Sequence, residues 1–207
     1  MWSGLRPIDV FAQDRIREYL KQHAPVGARD FNTLEFLQRL GIDSYFSGCL
    51  TLTLQRPNLP RDHDLLVLND VPDEIVRMIP SITTKRVVTT FHNDFQHFDI
   101  QTRLQKAQQL LDLYATAGCV VTTRLHAAMP CLAYKTPVLL IDSAPDQTRF
   151  SGLSNLVHHC TADALCAGKT DYDVNEPPPN PTGYLQHRVQ LSGRTTEFFR
   201  GVTAPVT

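Results

Sequence analysis

Continuous apolar runs mark the second half of the chain: LLVLN at 65–69, KRVVTTF at 85–91, CVVTT at 119–123 and PVLLID at 137–142. Helical patterns stand between them. VPDEIVRMI at 71–79 opens on Pro72 and two acids, where the helix dipole favours them. DIQTRLQKAQQLLDLYATA at 99–117 places Ile100, Leu104, Ala107, Leu111 and Tyr114 on one face, and AAMPCLAYK at 127–135 predicts a further helix. Strands that are apolar throughout, alternating with helices, predict a parallel sheet covered on both faces, a Rossmann-like α/β lobe.

The first half reads differently. Residues 9–23 form an amphipathic helical pattern with Val10, Ile16 and Leu20 among charges. PVGARDFNTLEFLQRLGID at 25–43 predicts a short strand-like turn into a second helix, capped by Asp30, Asn32 or Thr33 and stopped by Gly41. SYFSGCLTLTL at 44–54 alternates and is rich in Thr, Tyr and Phe, as a strand is. QRPNLPRDHD at 55–64 is a linker pattern, DVNEPPPNPTGY at 173–184 a stiff Pro-rich connector, and residues 184–199 a last helix. The predicted division is an incomplete N-terminal α/β lobe over 1–60, a C-terminal lobe over 61–170, and the connector with its helix over 171–207.

Composition removes several function classes. Twenty basic residues stand against twenty-one acidic ones, scattered rather than clustered, which gives no footprint for nucleic acid. No apolar run approaches the roughly 20 residues of a membrane span, and the N-terminal residues lack the apolar core of a signal peptide. The five cysteines are odd in number and have no CxxC spacing, so buried thiols and a cytoplasmic location are expected. HHC at 158–160 does not predict a metal site, because adjacent residues rarely converge on one tetrahedral ion.

Candidate chemistry gathers where strands end. In an open parallel sheet, ligands bind beyond the carboxyl ends of the strands. CVVTT ends at Thr123, so Arg124, Leu125 and His126 fall on that edge, with the following helix presenting amides and a positive dipole end to it. Pro130 is expected near that helix's first turn. The planar fork of Arg124 suits a carboxylate or phosphate, with His126 as a proton-transfer group; an Arg here serves equally well in a salt bridge to a loop. His92 follows another strand as a ligand-binding or loop-bonding residue. Arg149, Ser151 and Gly152 lie in DQTRFSGL, after the strand ending at Asp142, where close backbone approach to an anion and an ordinary turn are both open readings. Arg29 precedes a helix in the first lobe and is placed to face the cleft, with Asp30 as its cap.

VVTTRLHAAMPCLAYKTPVLLI resembles the signature of the polysaccharide pyruvyl transferase family, a Ser/Thr-Arg-Leu/Tyr-His segment before a helix and a Pro-led strand. The stretch at 25–54 resembles that family's Gly-x-Arg-Asp helix and next strand, while DQTRFSGL and PPPNP resemble its bacterial branch. The resemblance implies two Rossmann-like lobes of the glycosyltransferase-B type with the site between them. It implies transfer of the enolpyruvyl unit of phosphoenolpyruvate to a sugar or glycan acceptor, without metal or cofactor, in surface polysaccharide synthesis. Arg124 with nearby amides would then hold the donor's carboxylate or phosphate, and His126 would act as general acid or base. His92, Arg29, Leu125, Arg149, Ser151 and Gly152 would line the substrate. Relatives carry further strands ahead of the Gly-x-Arg-Asp segment, and many have Gly where Lys135 stands. A lobe lacking an edge exposes sheet, which makes a homodimer an expectation. A nucleotide-sugar glycosyltransferase and an inert glycan- or partner-binding relative are the competing readings.

Overall fold

The computed structural model describes residues 13–92, 98–142 and 151–203. Helix α1 (Asp14–Gln22), strand β1 (Val26–Ala28), helix α2 (Phe31–Arg39) and strand β2 (Ser44–Phe46) make the first unit, in which β1 and β2 pair in parallel. A second unit follows: β3 (Asp62–Asn69), α3 (Asp73–Met78), β4 (Arg86–Thr90), α4 (Ile100–Thr116), β5 (Ala117–Thr122), α5 (Leu125–Tyr134), β6 (Val138–Asp142), β7 (His158–Thr161) and α6 (Ala162–Cys166). Its five strands are all parallel, in the order β4-β3-β5-β6-β7. A long C-terminal helix, α7 (Tyr184–Thr203), ends the described chain.

The period-2 rule explains the two-sided burial. Leu65, Val67, Val120, Val138 and Leu140 point to the face covered by α5, whereas Leu66, Leu68, Val121, Leu139 and Ile141 point to the face closed by Ile75 of α3 and Leu165 of α6. Each fully buried Leu or Ile contributes about 1.5–3 kcal/mol relative to exposure. Two glycines have particular jobs. Gly41 stands at φ +70° just past α2, the left-handed stop for that helix. Gly118 lets β5 close on β3 at a register shift between Asp62 and Leu66; a Cβ there would strike the His63 backbone.

Several sequence expectations change. The 44–54 stretch is a strand only as far as Phe46; Gly48 at φ +68° turns the chain into a 3₁₀ turn, Leu50–Thr53. HHCT at 158–161, with no apolar run to mark it, is the edge strand β7. Residues 9–12 of the expected first helix lie outside the described residues. The apolar stripe of α4 is covered only towards its C-terminus: Tyr114 is buried, while Ile100 and Leu104 are 64% and 60% exposed. Pro130 is not in the first turn of its helix but at the sixth position of α5, because that helix begins at Leu125. Lys135 caps α5 at φ +55°, a left-handed position where glycine carries no steric cost.

The amino edge of the large sheet is closed by arginines on helix-end carbonyls. Arg56 donates to Leu59 O and Ala115 O, Arg61 to Tyr134 O, and Arg188 of α7 to Ala133 O and Leu54 O. Of these, Ala115 O belongs to the last turn of α4, and Ala133 O and Tyr134 O to that of α5, at the negative ends of both dipoles. The Pro-rich connector crosses the same region: Asn180 accepts from Val138 N at 3.0 Å and donates to Thr136 O at 2.7 Å. Among the described residues, no helix is long and apolar enough to cross a membrane.

Two measurements test this packing. Gly118→Ala must push β3 from β5, and overpacking of this kind costs about 1–3 kcal/mol; a lowered urea midpoint is expected, and an unchanged one would mean the strands are not this close. Burial pushes the Cys119 thiol up to about 11 and raises that of Cys131 as well, while Cys166 is exposed. In a thiol-reagent titration at pH 8 Cys166 should react first, with Cys119 and Cys131 silent until denaturant is added. Because the unfolded chain releases these protons near about pH 8.5 and the folded state keeps them, stability should fall as pH rises past that value.

Candidate functional site

The strand order creates a switch point. From β3 the chain moves outward to β4, then returns across β3 to β5, so the connections after β3 and β5 leave in opposite directions and open a crevice at their carboxyl ends. Asp70 follows β3 directly, and Arg124 opens α5 two residues after β5 ends.

The three strand ends are laced by short polar side chains. Asn69 is fully buried; its Nδ2 donates to Thr90 Oγ1 at 2.9 Å and its Oδ1 accepts from Thr122 Oγ1 at 3.1 Å. The same Thr122 hydroxyl oxygen accepts from the Arg124 backbone N–H at 3.0 Å, setting the start of α5. Asp70 stands at φ +49°, a left-handed conformation that Asp tolerates because its side chain can bond locally. Its N–H donates to Thr90 O at 2.9 Å, and its carbonyl accepts from Thr123 Oγ1 at 2.6 Å.

This backbone kink buries the Asp70 carboxylate at 7% exposure among cationic and N–H donors. Oδ2 of Asp70 lies 2.6 Å from His92 Nδ1 and 3.3 Å from Arg124 Nε, and also accepts from the His92 backbone N–H at 3.2 Å. Asp70 therefore draws two of the sequence-predicted residues, His92 and Arg124, onto one oxygen. A second pair spans the two sheets: Arg29, just past β1, brings Nη1 to 3.3 Å from His126 Nε2. His126 is the second residue of α5 and is exposed, as is Arg124 at its cap.

The other predicted residues divide. Leu125 points inward and belongs to the core, 4% exposed, so its side chain cannot meet a ligand at the edge; apolar Leu between two polar residues on a helix faces the opposite way. Ser151 and Gly152 pack on the start of α2. Ser151 O accepts from Phe31 N at 3.3 Å, its hydroxyl accepts from Asn32 Nδ2 at 3.2 Å, and the Phe31 ring occupies the space where a Gly152 Cβ would stand. Both residues fasten the turn that carries Arg29. Asp30 caps α2, accepting from Thr33 N at 2.8 Å. Arg149 lies outside the described residues.

Asp70 is the residue that sequence reasoning missed. Its signal was present: a lone acid directly after the continuous apolar run LLVLN, on the edge where parallel sheets bind ligands. HHC gathers no metal ligands either: His158 Nε2 lies 3.0 Å from Pro179 O, and His159 Nδ1 lies 3.0 Å from Asp142 Oδ2. Among the described residues no group of three or more His, Cys, Asp or Glu is placed to hold a metal ion.

Asp70→Asn keeps the left-handed backbone and removes the charge. Hydrogen bonds to charged groups contribute about 1.5–3 kcal/mol, so the variant should unfold with a free energy lower by roughly that amount. An equal urea midpoint and slope would show that the buried carboxylate does not organise this edge.

Comparison with curated proteins returns no match, and comparison with solved structures returns none. The family model for polysaccharide pyruvyl transferase matches residues 4–145, more than half of the 207-residue chain and inclusive of Arg29, Asp70, His92, Arg124 and His126. DQTRFSGL and PPPNP lie beyond the match. The parallel α/β architecture is that expected of a Rossmann-like glycosyltransferase-B type protein, and the chain belongs to the polysaccharide pyruvyl transferase family.

Proposed function

We propose that this chain transfers the pyruvyl unit of phosphoenolpyruvate to a sugar or glycan hydroxyl in surface polysaccharide biosynthesis, forming a cyclic ketal where two hydroxyls of one ring are within reach. The observation that carries the reading is the contact of Arg29 with His126 at the start of α5, the helix that Arg124 caps at the switch point of the sheet.

The donor carries a carboxylate and a phosphate close together. A planar guanidinium binds either group in a two-pronged fashion, and a helix start adds oriented N–H dipoles to the same space. Arg124 opens α5 and is steadied by Asp70, so its charge is held at the edge with little reorganisation on binding. Arg29 supplies the second cation from the other sheet. In the reaction a sugar oxygen bonds to C2 of the donor, C3 gains a proton and becomes the methyl group, and the C2–O bond to phosphate breaks. A second hydroxyl closes the ketal. The two hydroxyl protons end on C3 and on the released phosphate, so the reading requires proton transfer and charge stabilisation, with phosphoenolpyruvate as donor substrate and no cofactor.

Arg124→Ala should weaken phosphoenolpyruvate binding by about 10–100-fold, the loss of one or two charge-assisted hydrogen bonds. His126→Ala should leave that affinity within about threefold while turnover falls by roughly 10²–10⁴. Calorimetric titration with phosphoenolpyruvate and with UDP in parallel, plus phosphate release with methyl glycosides as acceptors, checks both. Tighter binding of UDP than of phosphoenolpyruvate would favour a nucleotide-sugar transferase, and full activity in the His126 variant would overturn its assignment.

A further inference from the structure

We infer that the two histidines of the edge divide the proton traffic: His92, seated on Asp70, supplies the proton for C3 of the donor, and His126, seated against Arg29, takes the proton of the acceptor hydroxyl. The inference rests on the pyruvyl transfer reading and assigns roles within it.

The assignment follows from which partners can donate and which can only accept. A carboxylate oxygen has no proton to give, so the 2.6 Å contact between Asp70 Oδ2 and His92 Nδ1 places a hydrogen on Nδ1. Nδ1–H is thereby held, and Nε2 is the nitrogen left for exchange. When Nε2 also carries a proton, the positive ring lies against a buried carboxylate that compensates it. The same Asp70 carboxylate accepts from the His92 backbone N–H at 3.2 Å and 3.3 Å, so ring and main chain are both clamped. Arg124 faces this carboxylate from α5, 3.3 Å away, which sets His92 beside the anion-binding guanidinium and so beside the donor's position.

His126 has the opposite partner. A guanidinium has five N–H donors and no acceptor, so the 3.3 Å contact with Arg29 Nη1 requires a lone pair on His126 Nε2. A ring whose proton is on Nδ1 meets that requirement. The ring also lies in the first turn of α5, at the positive end of the helix dipole. His126 Nε2 therefore stands as an acceptor, covered by Arg29.

The covering has a consequence for order. Arg29 is an anion-binding group, and a donor carboxylate or phosphate is a stronger acceptor for it than a neutral ring nitrogen. Donor binding draws Arg29 away and uncovers the base, so phosphoenolpyruvate precedes the acceptor. The step balances. The hydroxyl proton passes to His126 Nε2 as its oxygen bonds to C2. The C2=C3 π pair takes the proton from His92 Nε2. The C2–O bond to phosphate breaks, with phosphate keeping the pair. The second hydroxyl then closes the ring and its proton leaves with phosphate, while His126 returns its proton to His92 through solvent.

The test has a ligand-free arm and a kinetic arm. In ¹⁵N-histidine NMR of the apo protein, His92 should show protonated Nδ1 and His126 a lone pair at Nε2; Asp70→Asn should release the His92 preference and leave His126 unchanged. Adding phosphoenolpyruvate should shift His126 Nε2 in the wild type but not in Arg29→Gln. In the kinetic arm, His92→Gln should lose about 10²–10⁴ in kcat with phosphoenolpyruvate affinity within about threefold. A bare Nδ1 on His92, a protonated Nε2 on His126, or an undiminished kcat in His92→Gln overturns the assignment. If the wild-type protein fails to bind phosphoenolpyruvate, the pyruvyl transfer reading falls, and the roles assigned within it fall with it. If it binds and turns over while His92→Gln keeps its full rate, the division of roles falls alone.

Discussion

A carboxylate taken out of water must be surrounded by donors, and Asp70 meets that demand with the groups that make up the edge. Its neighbours are the His92 ring and main chain and the Arg124 guanidinium. Removing the charge would weaken all of these contacts together, because they share one carboxylate. The left-handed kink at Asp70 is what turns its side chain back over the strand ends, and the kink itself is held by bonds to Thr90 and Thr123. Local strain, buried polarity and ligand-facing geometry thus meet at one residue, as is common where a fold serves chemistry.

The two edges of the sheet use the same residue type for different ends. At the amino edge Arg56, Arg61 and Arg188 are spent on the orphan carbonyls of α4 and α5, which stabilises the helices and leaves those guanidinium groups committed. At the carboxyl edge the helix starts face the crevice, where the dipole is positive and carbonyl acceptors are scarce. Arginines placed there find a carboxylate and an imidazole instead. Strand direction alone produces this asymmetry, because every helix of the parallel sheet runs back against its strand.

The small β1–β2 sheet reaches the site by one arginine. Arg29 stands between β1 and the Asp30 cap of α2, and that turn is gripped from the large unit by Ser151 and by Gly152, whose missing Cβ admits the Phe31 ring. The contact of Arg29 with His126 therefore depends on packing between segments more than a hundred residues apart in sequence. α7 adds a second tie: Arg194 lies 3.8 Å over the Tyr45 ring, and His187 packs edge-on to Phe46.

The sequence by itself determined the parallel α/β layers, since apolar runs such as LLVLN and PVLLID have no polar face to turn to water, and it placed Arg124 and His126 at a strand end. It also showed Asp30 as a cap and Gly41 as a stop, both being local conditions satisfied within a few residues. It could not reveal β7, because HHCT lacks the apolar run of a buried strand and forms only where β6 offers an open edge. Nor could it show that Leu125 turns inward, that Ser151 holds α2 or that Pro130 lies mid-helix, since each depends on where α5 begins and what it packs against. Above all, only the tertiary structure decided that Asp70 joins His92 to Arg124. A hydrogen bond needs atoms within about 3 Å, and residues 22 and 54 positions away reach that distance only after β3, β4 and β5 have paired in register.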